Sequence, residues 1–258
     1  MNSPLNTLSM TAVEPGVSTG SDAMRLGFWA AVLTVIGTAA FAVAGVTTPP
    51  RSGPFCVSEC VPYPYVDVAR FIPGDYLWLV PGILLVPVFV VLMACIHAYA
   101  SEPRKIFSRI ALSFGLVYAV VILTDYYVQF AVVVPSLQAG ETDGLSLFTQ
   151  YNPHGLFIAL ESLGYFAMSA ALLFAAPVFA GGRVERVVRG LFVLSFVLAV
   201  AAFSWLGILG HDLVAFEVIV LTIDWSVLIA SSVLLSVLFR RRASVEAAAY
   251  AGRQELTP

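Results

Sequence analysis

Four carboxylates fall inside stretches too apolar to be loops: Asp125, Glu161, Glu217 and Asp224. A carboxylate within an apolar span is costly unless it faces protein, water or a proton, so each is a functional-site candidate. Their spacing groups them. Glu217, Asp224 and Ser231 follow at steps of seven, so a helix places all three on one stripe. His154, Glu161 and Tyr165 form a second stripe, and Tyr118, Asp125 and Gln129 a third. The chemistry open to such a set is proton exchange, cation recognition or general acid–base catalysis. The expected site is one polar pocket joining Asp125, Glu161 and Asp224. Glu217 lies nearer its mouth, His154 at its rim, Tyr165 along its wall and Gln129 beside Asp125. His211 and Asp212 fall at the mouth as well. The alternative for each carboxyl is packing alone, hydrogen-bonded to a Tyr or Ser, or, for Glu217, contact with headgroup water.

The elements that must position these groups follow from composition. The chain has 258 residues, 59% apolar and only 11% charged, far from the balance of a soluble domain. Six apolar runs each reach the roughly 20 residues a spanning helix needs. They cover about 26–45, 76–98, 110–134, 151–179, 190–209 and 213–239. The fold class is therefore an all-α membrane protein, a bundle of six transmembrane helices. Residues 1–24 read as a disordered tail, 46–74 as a Pro-rich loop outside the membrane, and 241–258 as a second polar tail. Ala42-Val43-Ala44 resembles a signal-peptide cleavage site, but the segment before it is long and carries only Arg25, which reads as a retained span. Asn152 is expected to cap the fourth span with Pro153 at its first position, and Pro87 to kink the second. The first and fifth spans carry no ionisable residue in their interior and are expected to be peripheral and lipid-facing.

Orientation comes from the basic residues. Arg25, then Arg104, Lys105 and Arg109, then Arg183, Arg186 and Arg189, then Arg240, Arg241, Arg242 and Arg253 alternate onto one side. Only Arg51 and Arg70 fall on the other, so eleven of the thirteen Lys and Arg agree. By the positive-inside rule both termini are cytoplasmic and the pocket opens outward. The expected location is a plasma (inner) membrane. Two inverted three-span halves would point to a carrier, but loop lengths and carboxylate depths do not repeat between the halves.

Cys56 and Cys60 share the loop on the oxidising side, so a disulfide is the natural reading, with a two-thiol metal pair as the alternative. A three-histidine zinc centre is not expected, because His97 falls on the opposite side from His154 and His211, and a mixed site of Asp125, Glu161 and His154 is the remaining metal alternative. No phosphate-cradling loop, dinucleotide fingerprint or nucleophile elbow is present, so no cofactor is expected. No basic tract points to nucleic acid. Tyr76, Trp78, Tyr126 and Tyr127 read as an interfacial aromatic belt. Trp225, beside Asp224, reads either as pocket wall or as a lipid-facing ring.

The segments Phe71-Ile72-Pro73-Gly74-Asp75-Tyr76-Leu77-Trp78, Asp125-Tyr126-Tyr127-Val128-Gln129 and Thr149-Gln150-Tyr151-Asn152-Pro153-His154-Gly155 resemble a group of uncharacterised bacterial six-span membrane proteins. That resemblance implies a bacterial inner membrane and carries no activity with it. The acidic, aromatic pocket is also similar to sterol-isomerase-like membrane proteins, which use buried carboxylates and an aromatic cage, though no residue is carried over.

Three functions fit. The first is a small-molecule or proton-coupled carrier, or a sensor, with an outward acidic pocket. The second is an intramembrane enzyme acting on a lipid or isoprenoid, with Asp125 and Glu161 as an acid–base pair. The third is an accessory or scaffolding subunit whose carboxylates meet a partner's helix. The expected partners are the bilayer and a small-molecule or lipid ligand; the sequence does not fix an oligomeric state. A carrier calls for a polar path through both membrane halves, an enzyme for a closed floor with a side opening, and a scaffold for carboxylates on an outer face.

Overall fold

The computed structural model describes residues 18–254. Among these residues seven α-helices form: α1 (Ser18–Thr47), α2 (Leu79–Tyr99), α3 (Lys105–Val128), α4 (Val134–Ala139), α5 (Leu156–Ala175), α6 (Arg183–Ala202) and α7 (Leu213–Gln254). Six helical stretches are long and apolar enough to cross a membrane: Gly20–Thr47, Gly74–Tyr99, Glu102–Ala139, Leu156–Val178, Arg183–Leu209 and Leu213–Ala249. The protein is an all-α, multi-pass membrane bundle, as its composition predicts.

The bounds differ from the expectation in instructive places. Residues 18–24 of the expected N-terminal tail already belong to α1, and the remainder of that tail, 1–17, lies outside the described residues. α7 runs past Phe239 to Gln254, because 241–254 is rich in Ala and Arg, both good helix formers; the end of that tail, 255–258, also lies outside the described residues. The third span continues through a π-helical stretch, Gln129–Val133, into α4. Pro135 offers no N–H to the turn below it, which favours a widened turn. Pro87 sits inside α2 without interrupting it.

The fourth span starts later than its cap signal predicts. Asn152 does not cap a helix: its Oδ1 accepts the backbone N–H of His154 at 3.0 Å, and its Nδ2 donates to the Ser146 carbonyl at 2.8 Å. These bonds close a turn, as Asn side chains do in loops. Helix α5 begins only at Leu156, after an extended Gly155.

The helices form a ring in which α1 packs on α2 and α7, α3 on α2 and α5, and α6 on α5 and α7, while α5 also reaches α7 across the ring. α5 is the hub: 67% of its apolar window is buried, against 17% for α6. Close approach is bought by small residues. A Cβ at Gly164 on α5 would stand 2.5 Å from Ile122 Cδ1 on α3, so a larger residue would have to push that side chain aside. At Gly82 on α2 the Tyr126 and Phe41 rings lie where a larger side chain would have to push them aside.

The fifth span is peripheral, 17% buried; the first, 33% buried, turns Leu26, Trp29, Leu33 and Ile36 outward while its other face packs inside. Leu194 and Leu198 on α6 are 49% and 41% exposed. α1, by contrast, lies between α2 and α7, with Thr34, Thr38 and Phe41 buried. Small residues along it, Gly27 and Gly37 among them, let it seat closely against these neighbours.

Candidate functional site

The end of the bundle that carries the Cys56–Cys60 loop holds a cavity of about 430 Å³, within the usual size of a small-ligand site. Its walls come from the last turns of α1 (Phe41, Gly45, Val46), the start of α2 (Trp78), the first turns of α5 (Phe157, Ile158, Glu161) and the first third of α7 (Val214, Glu217, Val218, Leu221, Thr222, Trp225). Residues 48–53 and Phe55 form its roof.

The aromatic walls touch one another. The rings of Phe41 and Trp225 are 4.9 Å apart, those of Trp78 and Phe157 5.8 Å, and those of Trp78 and Tyr126 5.0 Å. Tyr126 and Trp78, expected at the interface with Tyr76, are instead buried, at 0% and 6% exposure, and Tyr76 with them. The Trp78 indole N–H reaches Gln150 Oε1 at 3.0 Å, so its ring can face inward with its polar group satisfied. Tyr127 alone of the four faces out, 63% exposed.

Two carboxyl groups stand in the wall. Glu161 on α5 and Glu217 on α7 are within hydrogen-bonding reach of each other. Such a bond needs one proton between two acidic oxygens. Tyr126 donates its hydroxyl to Glu161 Oε1 at 2.5 Å, and the Tyr165 hydroxyl lies 3.2 Å from that of Tyr126. Asp125, 2% exposed, stands near enough to both glutamates for like-charge repulsion, and its Oδ2 has no hydrogen-bond partner. Among the described residues no Lys or Arg pairs with Asp125, Glu161, Glu217 or Asp224.

Asp224 is placed elsewhere. It is fully buried where α5, α6 and α7 meet. Ser169 donates to it at 2.8 and 3.1 Å and Ser195 at 2.6 Å. It does not line the cavity. Thus Glu161 is joined by Glu217 and Asp125, and Asp224 is held apart by serines. The stripe spacing on α7 is as expected, but seven residues separate two different neighbourhoods.

Of the remaining expected site residues, Gln129 and Asp212 have structural partners, and His154 and His211 are exposed. Gln129 is buried and clips the loop before α5, donating to the Phe148 carbonyl at 2.6 Å and accepting the Gln150 N–H at 3.2 Å. His154 precedes α5, is exposed, and does not share the helical stripe of Glu161. His211 is exposed, and Asp212 caps α7 by accepting the Ala215 N–H at 2.9 Å. The carboxylates lie inside the bundle rather than on its outer face.

The roof is fastened by residues the spacing gave no reason to join. Arg51 grips Asp75 with two bonds, Nε at 2.9 Å and a second guanidinium nitrogen at 3.2 Å, and reaches Glu59 at 2.8 Å. Its guanidinium also lies 3.6 Å from the Phe71 ring centre. The bond to Asp75 holds the guanidinium above its usual pKa. Tyr151 donates to the same Asp75 at 3.2 Å, and burial pushes its hydroxyl up, which keeps it a donor. Ser52 donates to the Tyr151 carbonyl. Cys56 and Cys60, joined by a disulfide, close the small loop next to the roof. The signals available in sequence were faint: two arginines in one loop, Arg51 and Arg70, with nothing to single out the first, and lone serines in apolar spans.

No family model matches this chain, and neither a curated protein nor a solved structure is similar to it, so the site stands on its own geometry.

Proposed function

We propose that the protein binds a small molecule in the roofed cavity and acts as a carrier or sensor, with the Glu161–Glu217 pair as its charge-bearing and proton-exchanging element. The observation that supports this is the pair itself: two carboxyl groups from different helices, facing each other and a 430 Å³ aromatic cavity, with no cation assigned to them. Among the described residues Glu161 has one hydroxyl donor, Tyr126, but Glu217 has none, whereas a carboxyl kept only for packing would be expected to find donors as Asp224 does. The charge bias of the loops supports a cavity that opens away from the cytoplasm of a plasma (inner) membrane, and the resemblance in sequence supports a bacterial one.

A second reading has an observation in its favour. Beneath the cavity lie large buried side chains, Tyr118, Ile122, Tyr165 and Met168, and a closed floor suits an enzyme acting on a lipid. The acid–base pair would then be Glu161 and Glu217 rather than Asp125 and Glu161. Native mass spectrometry of the chain extracted from its own membrane tests the main reading. A small molecule retained by the wild type and lost from Glu161→Gln and Glu217→Gln supports it. Identical spectra for all three overturn it. Recovery of a chemically altered lipid would favour the enzyme.

A further inference from the structure

Resting on the binding function just proposed, we infer that the ligand is a membrane-borne amphiphile with a single cationic amine head, which enters between α1 and α7 and seats its head on the Glu161–Glu217 pair. Three observations carry this.

The first is charge. Glu161 and Glu217 face one cavity, and a carboxyl pair that shares one proton carries one negative charge, which one ammonium neutralises. The cavity has one basic residue in its lining, Arg51, and that is committed to Asp75 and Glu59. An anionic ligand would therefore meet the pair with no cation to spare. The second is the wall. Phe41, Trp78, Phe157 and Trp225 present ring surface around the carboxyls, which suits both an alkyl body and an ammonium, since cations are drawn to ring faces.

The third is the route. The roof is tied down by Arg51 to Asp75 and by Ser52 to Tyr151. The side is not. Val46 on α1 and Val218 on α7 line the cavity and are 83% and 45% exposed, and Thr222 on α7 is exposed as well. Thr222 lies nine residues into α7, about 13 Å below its start. The cavity therefore reaches the bundle's side at a depth where the surroundings are lipid. A ligand already dissolved in the bilayer can use that gap; a strongly hydrated one cannot.

The test uses the full chain in lipid nanodiscs carrying Trp29→Phe and Trp205→Phe. Those two of the four tryptophans are 61% and 72% exposed and do not line the cavity. Fluorescence then reports Trp78 and Trp225 alone. The probes are 11-bromoundecylamine and 11-bromoundecanol, whose bromine quenches only on contact. The amine should quench saturably and bind about tenfold or more tighter than the alcohol, and Glu217→Gln should erase that preference. Thr222→Phe, which narrows the side gap, should slow association without weakening equilibrium binding to the same extent. Equal binding of amine and alcohol by the wild type overturns the ligand class while leaving a ligand cavity in place. Saturable quenching by neither probe removes the cavity reading itself. An unchanged association rate in Thr222→Phe overturns the side entrance. The comparison between probes needs only the tryptophan background, so it stands even if a Glu217 variant fails to fold.

Discussion

Glu217 and Asp224 lie two turns apart on one face of α7, have the same chemistry and are both buried, yet they have opposite surroundings. Asp224 is satisfied by hydroxyls from α5 and α6, and so joins three helices at one point. Glu217 meets only another carboxyl and a cavity. The difference teaches that burial alone does not mark a functional carboxylate. Its partners do: a group whose bonds are all made within the protein holds the fold, and one left against a like group at the edge of a cavity is poised to take something else.

The comparison can be broken by substitution, and the largest effect belongs to the roof. Arg51→Ala leaves Asp75 buried without its cation and should destabilise the protein by about 3–5 kcal/mol. Thermal unfolding in nanodiscs measures this, and a change near zero would mean that the cavity's roof is held by something else. Next comes the disulfide. Mass spectrometry of non-reduced protein should find Cys56 joined to Cys60. Replacing both with Ser should cost about 2 kcal/mol, the figure expected for so short a loop. Two free thiols in carefully trapped material would refute the bond.

The third test sets the two carboxylates side by side. Ser195→Ala removes a donor from a buried carboxylate and should cost about 1.5 kcal/mol of stability while leaving probe binding intact. Glu217→Gln should do the reverse, changing stability by less than about 1 kcal/mol, because its amide can still donate to Glu161, while removing amine binding. If Ser195→Ala abolished binding as well, the two neighbourhoods would be one system and the distinction would fall. The smallest effect is at the edge. Leu194→Ile and Leu198→Ile on the exposed face of α6 should each stay within about 0.5 kcal/mol. Strong destabilisation would place α6 at a further interface.

Parts of this arrangement were legible in the sequence. Span number followed from run length, because a bilayer demands about 20 apolar residues whatever their identity. The pairing of Glu161 with Tyr165, and of Glu217 with Asp224, on shared faces followed from helical period. The error over His154 was local: Asn152 and Pro153 suit a helix start and a turn equally, and only the bonds to Ser146 and His154 decided for the turn. The error over Trp78 and Tyr126 was one of orientation. Aromatics near a span end favour the interface on average, but Gln150 offered the indole an internal partner, and the small surface of Gly82 left room for the Tyr126 ring.

What the sequence determined by itself was the one-dimensional part: six apolar spans, the basic loops between them, and the stripes on which each carboxylate sits. These depend on local composition and on helix geometry, and neither needs to know its neighbours. Which stripes face each other was decided only in three dimensions. α5 became the hub because Gly164 lets it close on α3. That placement brought Glu161 to Glu217, gave Asp224 to Ser169 and Ser195, and drew Arg51 over the top to Asp75, 24 residues away. Contacts between distant segments rest on shape and on the pairing of polar groups across helices, and a periodicity along one chain carries no record of either.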